Sequence, residues 1–296
     1  IRQVRGRPAQ IWECLSMSTT WEQITANARL VSLPDVYLRL QTVLDDPNSN
    51  LADVADVVGN DPAMTAKLLR IVNSAYFGLG TEIDTVSRAV GLLGTQEVHD
   101  LVLAASVAQS FEGMSNEMMD MQKFWERSVR CAITGSELAT LCNVLDGERL
   151  FVAGLLRDIG HLYMYQLAPQ KAQQAIELAQ VQGVPVYKTE RALLGTDYAK
   201  VGADLMRQWQ LPQTLWEPTE FHIEPTKSQE YELFTSLVHI AAHMTEGIEQ
   251  DLGIEVAPGG VWAEAWQVTG LSPEHCAGVT KRVDAQVAAV MQLIFP

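Results

Sequence analysis

Phe151-Val152-Ala153-Gly154-Leu155-Leu156-Arg157-Asp158-Ile159-Gly160 is the stretch on which the reading of this chain turns. Its apolar residues recur as in a buried helix, yet a charged doublet, Arg157-Asp158, stands where the buried face should continue. Aspartate in that place can ligate a metal. Arginine cannot, because the guanidinium stays cationic at any working pH and offers donors only. Were position 157 histidine, the doublet would be a pair of metal ligands. One residue thus separates a hydrolytic centre from a domain built like one.

Outward from this stretch the periodicity is helical almost everywhere. Val36, Leu40, Val43 and Leu44 share one face, as do Leu51, Val54, Val57 and Val58, then Met64, Leu68, Ile71 and Val72, then Val98, Leu101, Val102 and Ala105. Asp46-Pro47, Asn60-Asp61-Pro62, Gly78-Leu79-Gly80 and Leu211-Pro212 punctuate the pattern as breakers or helix starts. Helices are expected near 34–45, 50–58, 61–73, 84–92, 95–111, 117–143, 147–165, 170–182, 185–194, 196–209, 228–248 and 273–293. The fold class is all-α. The stretch from Gln109 to Lys123, with Gly113-Met114-Ser115-Asn116, reads as a seam between two bundles, and Gly247 to Gly260 as a second loop-rich segment.

Bulk properties narrow the function. The 296 residues carry a net charge of -15, and the isoelectric point is about 4.8. That balance argues against duplex nucleic acid and against anionic membranes as the main ligand. No apolar run reaches the roughly 18 residues of a membrane span, and no charged-then-apolar signal segment opens the chain. Cys14, Cys131, Cys142 and Cys276 are scattered without a CxxC, which reads as reduced thiols in a cytoplasmic protein. The chain opens at Ile1, so the sequence is expected to be trimmed or to follow another module.

Several constellations need weighing. Leu51 to Val72 has the outline of a helix-turn-helix, with Lys67 and Arg70 on its second helix. Asp53, Asp56 and Asp61 surround the same unit and would repel a phosphate backbone, so a packed helical hairpin is the better reading. Asn73-Ser74-Ala75 ends the second helix, either through a left-handed asparagine or through an amide that bridges the next loop. His239 and His243 lie four apart and could face a metal together. No glutamate sits at the second position between them and no third ligand is evident, which favours polar surface or a satisfied core. Asp158 and His161 fall on one face, where a hydrogen bond fixing the helix is preferred over ligation. Trp209, Trp216, Trp262 and Trp266 read as core or lid aromatics. No nucleophile elbow, P-loop or dinucleotide fingerprint is present.

The order of segments resembles the HDOD domain. Leu33-Pro34 comes first, then Asp61-Pro62-Ala63-Met64-Thr65-Ala66-Lys67-Leu68-Leu69-Arg70-Ile71-Val72-Asn73-Ser74-Ala75-Tyr76-Phe77-Gly78, then Ala89-Val90-Gly91-Leu92-Leu93-Gly94. Phe124-Trp125, Phe151 to Leu156, Glu190, Leu194-Gly195-Thr196-Asp197, Val201-Gly202-Ala203 and Trp209-Gln210-Leu211-Pro212 continue it, so the likeness runs from about residue 30 to about 245. The family is similar in fold to the HD phosphohydrolases, is bacterial, is linked to signalling and regulation, and commonly lacks a working metal site. The resemblance implies an N-terminal extension over 1–29, an N-terminal helical lobe over 30–112 and an HD-like helical lobe over 117–250. A helical tail over 251–296 is expected to turn Val279, Val283, Val287, Val290 and Ile294 inward.

Carried over residue by residue, the resemblance is negative for catalysis. The first HD histidine falls on Arg127, and the histidine of the doublet on Arg157 beside a retained Asp158. A later histidine falls on Tyr198. Of a His-His pair, His222 remains beside Ile223, and the terminal aspartate falls on Ala242. Asp158 and His222 alone make a poor divalent site, and two arginines repel a cation. No metal, no cofactor and no enzymatic activity are expected. Asp61, Pro62, Asn73, Ser74, Gly94, Gly154 and Gly160 are expected to be structural positions of the family motif. Arg157 would pair with Asp158 or with a nearby acid such as Glu190. The implied function is a non-catalytic bacterial signal-transduction module whose partners are other signalling proteins. One alternative is a sensor that binds a nucleotide or other small anion at Arg127 and Arg157. The other is a residual metal-dependent phosphohydrolase.

Overall fold

A computed structural model describes residues 21–25, 31–74, 77–111, 119–145, 147–249 and 260–294. Most of the expected extension at 1–29, Ala75 and Tyr76 of the family run, Gly113 to Asn116 of the seam, 250–259 of the loop-rich segment and Cys14 lie outside the described residues. Among the described residues there is no strand, and the all-α reading holds.

The N-terminal half contains α1 (Trp21–Thr25), α2 (Asp35–Asp45), α3 (Leu51–Gly59), α4 (Pro62–Val72), α5 (Val86–Leu93) and α6 (Thr95–Ser110). Local chemistry starts these helices. Asn50 and Asp53 form a reciprocal capping box on α3. The Asp61 carboxylate accepts the Met64 N–H at 2.9 Å, and Pro62 supplies the fixed φ of the first turn of α4. Leu51 to Val72 is the packed hairpin expected of it, with Val54, Val58, Met64, Leu68 and Val72 buried. Asn73 keeps φ at -83°, so the left-handed helix stop is not what happens. Its amide bridges the next loop instead, donating to Leu69 O and Ile83 O and accepting the Ile83 N–H at 2.7 Å. Gly94, at φ +95°, turns α5 into α6 through a backbone shape that a side chain would strain. Helix α6 is buried all round from Val98 to Ala108, wider than the single stripe the sequence suggests.

The second half contains α7 (Met121–Leu141), α8 (Gly147–Leu156), α9 (Ile159–Leu167), α10 (Pro169–Gln182), α11 (Val186–Leu194), α12 (Tyr198–Gln208), α13 (Gln213–Phe221), a 3-10 turn (Pro225–Lys227), α14 (Glu232–Glu249), α15 (Ala263–Thr269) and α16 (Pro273–Ile294). The single helix expected over 147–165 is two, α8 and α9, broken at Arg157-Asp158. Helices α13 and α15 are additional to the sequence reading. Helix α7 packs against α8, α14 and α16, while α6 bridges the halves by packing on α2, α4, α5 and α8. One continuous core runs from Leu33 to Val290, and a smaller one gathers Tyr163, Met164, Leu194, Tyr198 and Ile223. Val279, Val283, Val287 and Val290 of α16 are buried; the side chain of Ile294 lies outside the described residues.

Two glycines of the family motif are there for close approach. A Cβ on Gly154 would stand 2.8 Å from Ala132 Cα, where α8 crosses α7. A Cβ on Gly160 would run into Tyr198 O and come within 2.6 Å of Gly202 N, where α9 crosses α12. Both crossings are backbone against backbone, which only a residue without a side chain permits.

Candidate functional site

The break between α8 and α9 presents Arg157 and Asp158 inward. Asp158 occupies the N-cap of α9, but its carboxylate caps nothing. It is used instead as the hub of an ion cluster. Arg157 Nη2 lies 3.0 Å from Asp158 Oδ2, and Arg127 Nε, arriving from α7, lies 3.6 Å from the same oxygen. Arg157 is 1% exposed and is among the largest fully buried side chains of the molecule. Burial alone would raise the Asp158 pKa; the two guanidiniums, Arg157 before Arg127, outweigh it and hold the carboxyl down at about 2. Of the two partners open to Arg157 from sequence, Asp158 is the near one.

Glu190, fully buried on α11, has another task. Its Oε2 accepts the Tyr198 N–H at 3.0 Å, capping α12, and its Oε1 lies 3.4 Å from His161 Nε2. The His161 ring stacks on Tyr198 with centroids 3.8 Å apart and on Tyr165 at 5.3 Å. The expected Asp158–His161 side-chain bond is not formed; the link is the His161 N–H donating to Asp158 O, one helical turn starting. Helix geometry puts both residues on one face, but the break at Asp158 turns the carboxylate toward the arginines.

His222 follows α13, 2% exposed. A carbonyl can only accept, so the 2.8 Å contact with Thr219 O places the proton on Nδ1. Nε2 is then the acceptor for the Tyr198 hydroxyl at 3.2 Å. Burial, with Arg157 close by, drives the His222 pKa down to about 4. The same logic runs on through α14. His239 donates from Nδ1 to His222 O at 2.5 Å and accepts the Trp262 N–H on Nε2 at 3.0 Å. His243 donates from Nδ1 to His239 O at 2.9 Å. Burial, and then His243, holds the His239 pKa at about 3. Of the two readings of the His239/His243 pair, His239 is satisfied core, with both ring nitrogens engaged.

These residues do not fit a divalent cation. Asp158 already faces two guanidiniums, His222 spends its one lone pair on Tyr198, and buried Ala242 offers no donor. Among the described residues no group of three or more His, Cys, Asp or Glu is arranged to hold a metal. The positions Arg127, Arg157, Asp158, Tyr198 and His222 singled out from sequence do converge. What the sequence reading missed is the glutamate-histidine-tyrosine stack beside them and the tie from His222 to α14. The four-residue spacing of His239 and His243 was the available signal; it pointed to polar surface or a satisfied core without naming the carbonyls that satisfy the rings.

The chain matches the HDOD domain family model over residues 30–225. An uncharacterised protein of Treponema pallidum is 24% identical over 214 residues, covering 71% of this chain and 40% of its own length. This chain therefore spans well under half of that relative. A Shewanella amazonensis protein provisionally named a phosphohydrolase superposes with a TM-score of 0.75 at 24% identity, over 94% of this chain and 99% of that one. A Marinobacter aquaeolei protein provisionally named a signal transduction protein does so with a TM-score of 0.69 at 19% identity, over 97% of this chain and 64% of that one. Those likenesses show a shared fold carrying two differently named proteins. The family model spans more than half of the sequence, and with it the chain belongs to the HDOD family.

Proposed function

We propose that this chain is a non-catalytic regulatory module of bacterial signal transduction that acts through contacts with other signalling proteins. The observation that carries the reading is the Arg127–Asp158–Arg157 cluster, which puts two fixed positive charges where a phosphohydrolase needs a metal. Internal guanidiniums cannot activate water as a bound metal does, and His222 is held neutral with its lone pair occupied. A signalling role is supported by family membership and by the name of the Marinobacter aquaeolei protein that shares the fold. Cytoplasmic residence accords with Cys131, Cys142 and Cys276 being outside any disulfide. Among the described residues no helix is long and apolar enough to cross a membrane.

The anion-sensor alternative is weaker on this geometry. Arg157 is sealed from solvent, and its Nη2 already lies 3.0 Å from the Asp158 carboxylate. The test is metal content of protein purified without chelator, run with a sensitive phosphodiesterase assay and a thermal scan with millimolar nucleotides. Substoichiometric metal, no turnover and no nucleotide shift are expected. Stoichiometric metal with turnover lost in Asp158→Ala overturns the proposal in favour of the hydrolase. A nucleotide-induced rise in melting temperature that vanishes in Arg157→Ala overturns it in favour of the sensor.

A further inference from the structure

A cavity of 360 Å³ lies between the two halves, with α2 and α6 on one side and α8, α13 and the α12–α13 connection on the other, and no residue of the ion cluster lines it. His99 of α6 does line it. The residue is 7% exposed, and its ring packs on Tyr37 with centroids 5.1 Å apart. Both of its polar contacts run through Nδ1, to Asp100 Oδ1 at 2.9 Å and to Gln96 Nε2 at 3.5 Å. Among the described residues Nε2 has no polar contact, and it is not one of the sealed, unpartnered atoms of the interior. Of the two ring nitrogens, Nε2 is thus the one open to the space that the ring lines.

The bond behind the ring decides its chemistry. A carboxylate oxygen can only accept, so the proton sits on Nδ1 and Nε2 carries a lone pair. Asp100 is held in place: it is buried, and Oδ1 also accepts from Gln96 Nε2 at 2.9 Å. An imidazole backed by a fixed carboxylate is a stronger nucleophile than a free one, because the positive charge the ring gains on attack falls beside the carboxylate. The other histidines lack this arrangement. His222 and His239 spend both nitrogens, and both nitrogens of His161 are sealed. His243 and His275 have Nδ1 engaged by His239 O and by the Ser272 N–H, not by a carboxylate. Arg149 and the exposed Asp45 line the same cavity, and their formal charges cancel. The volume is at the small end for ligand pockets and admits a molecule of on the order of ten heavy atoms. A phosphoryl group is the electrophile that suits a regulatory module, since it adds about two negative charges and is lost again on hydrolysis.

We propose that His99 Nε2 is a phosphoryl-acceptor site, charged by a small donor of the acyl phosphate or phosphoramidate class and supported from behind by Asp100. The Nε2 lone pair forms the new N–P bond while the bond from phosphorus to the leaving group breaks, its electron pair departing with the carboxylate or the ammonia. The Nδ1 proton stays where it is, so the ring takes up a positive charge beside Asp100 and the phosphoryl group keeps its two negative ones. The mark then stands in a cavity that both halves line. Its use as a signal rests on the regulatory reading; the reaction at Nε2 does not.

The full chain is incubated with potassium phosphoramidate at neutral pH, digested without acid and mapped by mass spectrometry. Phosphorylation at His99 should run roughly tenfold or more ahead of that at His275, although His275 is the more exposed of the two. The phosphorus spectrum should report the Nε2 isomer, and the nitrogen spectrum of the unlabelled protein should place the His99 proton on Nδ1. Asp100→Asn keeps an acceptor oxygen and removes the charge, so it should slow labelling at His99 roughly tenfold, the scale of a lost bond to a charged group, and leave the rate at His275 unchanged. No label at His99, a rate there no greater than at His275, or a proton on Nε2 overturns the proposal. Labelling undiminished in the variant overturns it as well; if the variant does not fold, the wild-type map and the nitrogen spectrum decide. None of these outcomes touches metal content or turnover at the Arg127–Asp158–Arg157 cluster, so the two readings fail separately.

Discussion

Acidification should unfold this protein through His222 and His239, and the size of the effect follows from their bonds. Both rings are fixed as the Nδ1–H tautomer by carbonyl acceptors, and both use Nε2 to accept, from the Tyr198 hydroxyl and the Trp262 N–H. A second proton on either ring destroys an acceptor and sets two donors against each other. The folded-state values of about 4 for His222 and about 3 for His239 lie below the unfolded value near 6.5. A depressed histidine binds fewer protons when folded, so its stabilisation is complete above about pH 7 and declines as pH falls through 6.5. For His222 the loss levels off near pH 4, where the folded ring also protonates. Between pH 7.5 and pH 5 each ring contributes a loss of about 2 kcal/mol, and the pair about 4 kcal/mol. Denaturant melts at the two pH values measure it directly. His239→Gln lowers stability at pH 7.5 but should cut the pH-dependent loss roughly in half. A wild-type loss under about 1 kcal/mol, or an identical loss in the variant, would refute the assignment of these rings as buried neutral acceptors.

Two further outcomes follow from the packing. Asp158→Asn takes the carboxylate away from buried Arg157 and from Arg127 and should cost about 3–5 kcal/mol, whereas the paired replacement Arg157→Met with Asp158→Leu, which takes it from the part-exposed Arg127 alone, should recover most of that loss, by chemical denaturation. Gly160→Ala forces α9 away from α12 and should cost about 3 kcal/mol or more, while Gly59→Ala, with open space at its Cβ, should stay within about 1 kcal/mol on the same measurement.

Where sequence reading succeeded, the signal was local. The cap at Asp61-Pro62 and the apolar faces of α3, α4 and α16 depend on neighbours within a few residues, and those were legible. Helix α13 was missed because Leu211-Pro212 reads as a breaker, although proline is equally at home as the residue before a helix, and because Pro218 sits inside it. The break at Arg157-Asp158 was missed because periodicity continues through it. The features that lie at the break, the crossing of Gly160 with Tyr198 and the Arg127–Asp158 pair, join residues far apart in sequence. The members of the ion cluster were named from sequence; their bonding was not, since the choice between Asp158 and Glu190 as partner of Arg157 depends on which way the chain turns after Leu156. The capping of α14 was equally hidden. Glu217 Oε1 accepts from the Ser228 hydroxyl and from the N–H groups of Gln229, Glu230 and Tyr231, a cage assembled across a turn.

Helix α6, immersed on every side from Val98 to Ala108, has no face that water could wet. A chain cut after it would leave the surface that packs on α8 bare, and a chain begun after it would leave α8 with an open apolar trough. Neither half is therefore a portable part. The molecule should melt in one step, report strain at one end as a change at the other, and resist the domain shuffling by which modular proteins are usually rearranged.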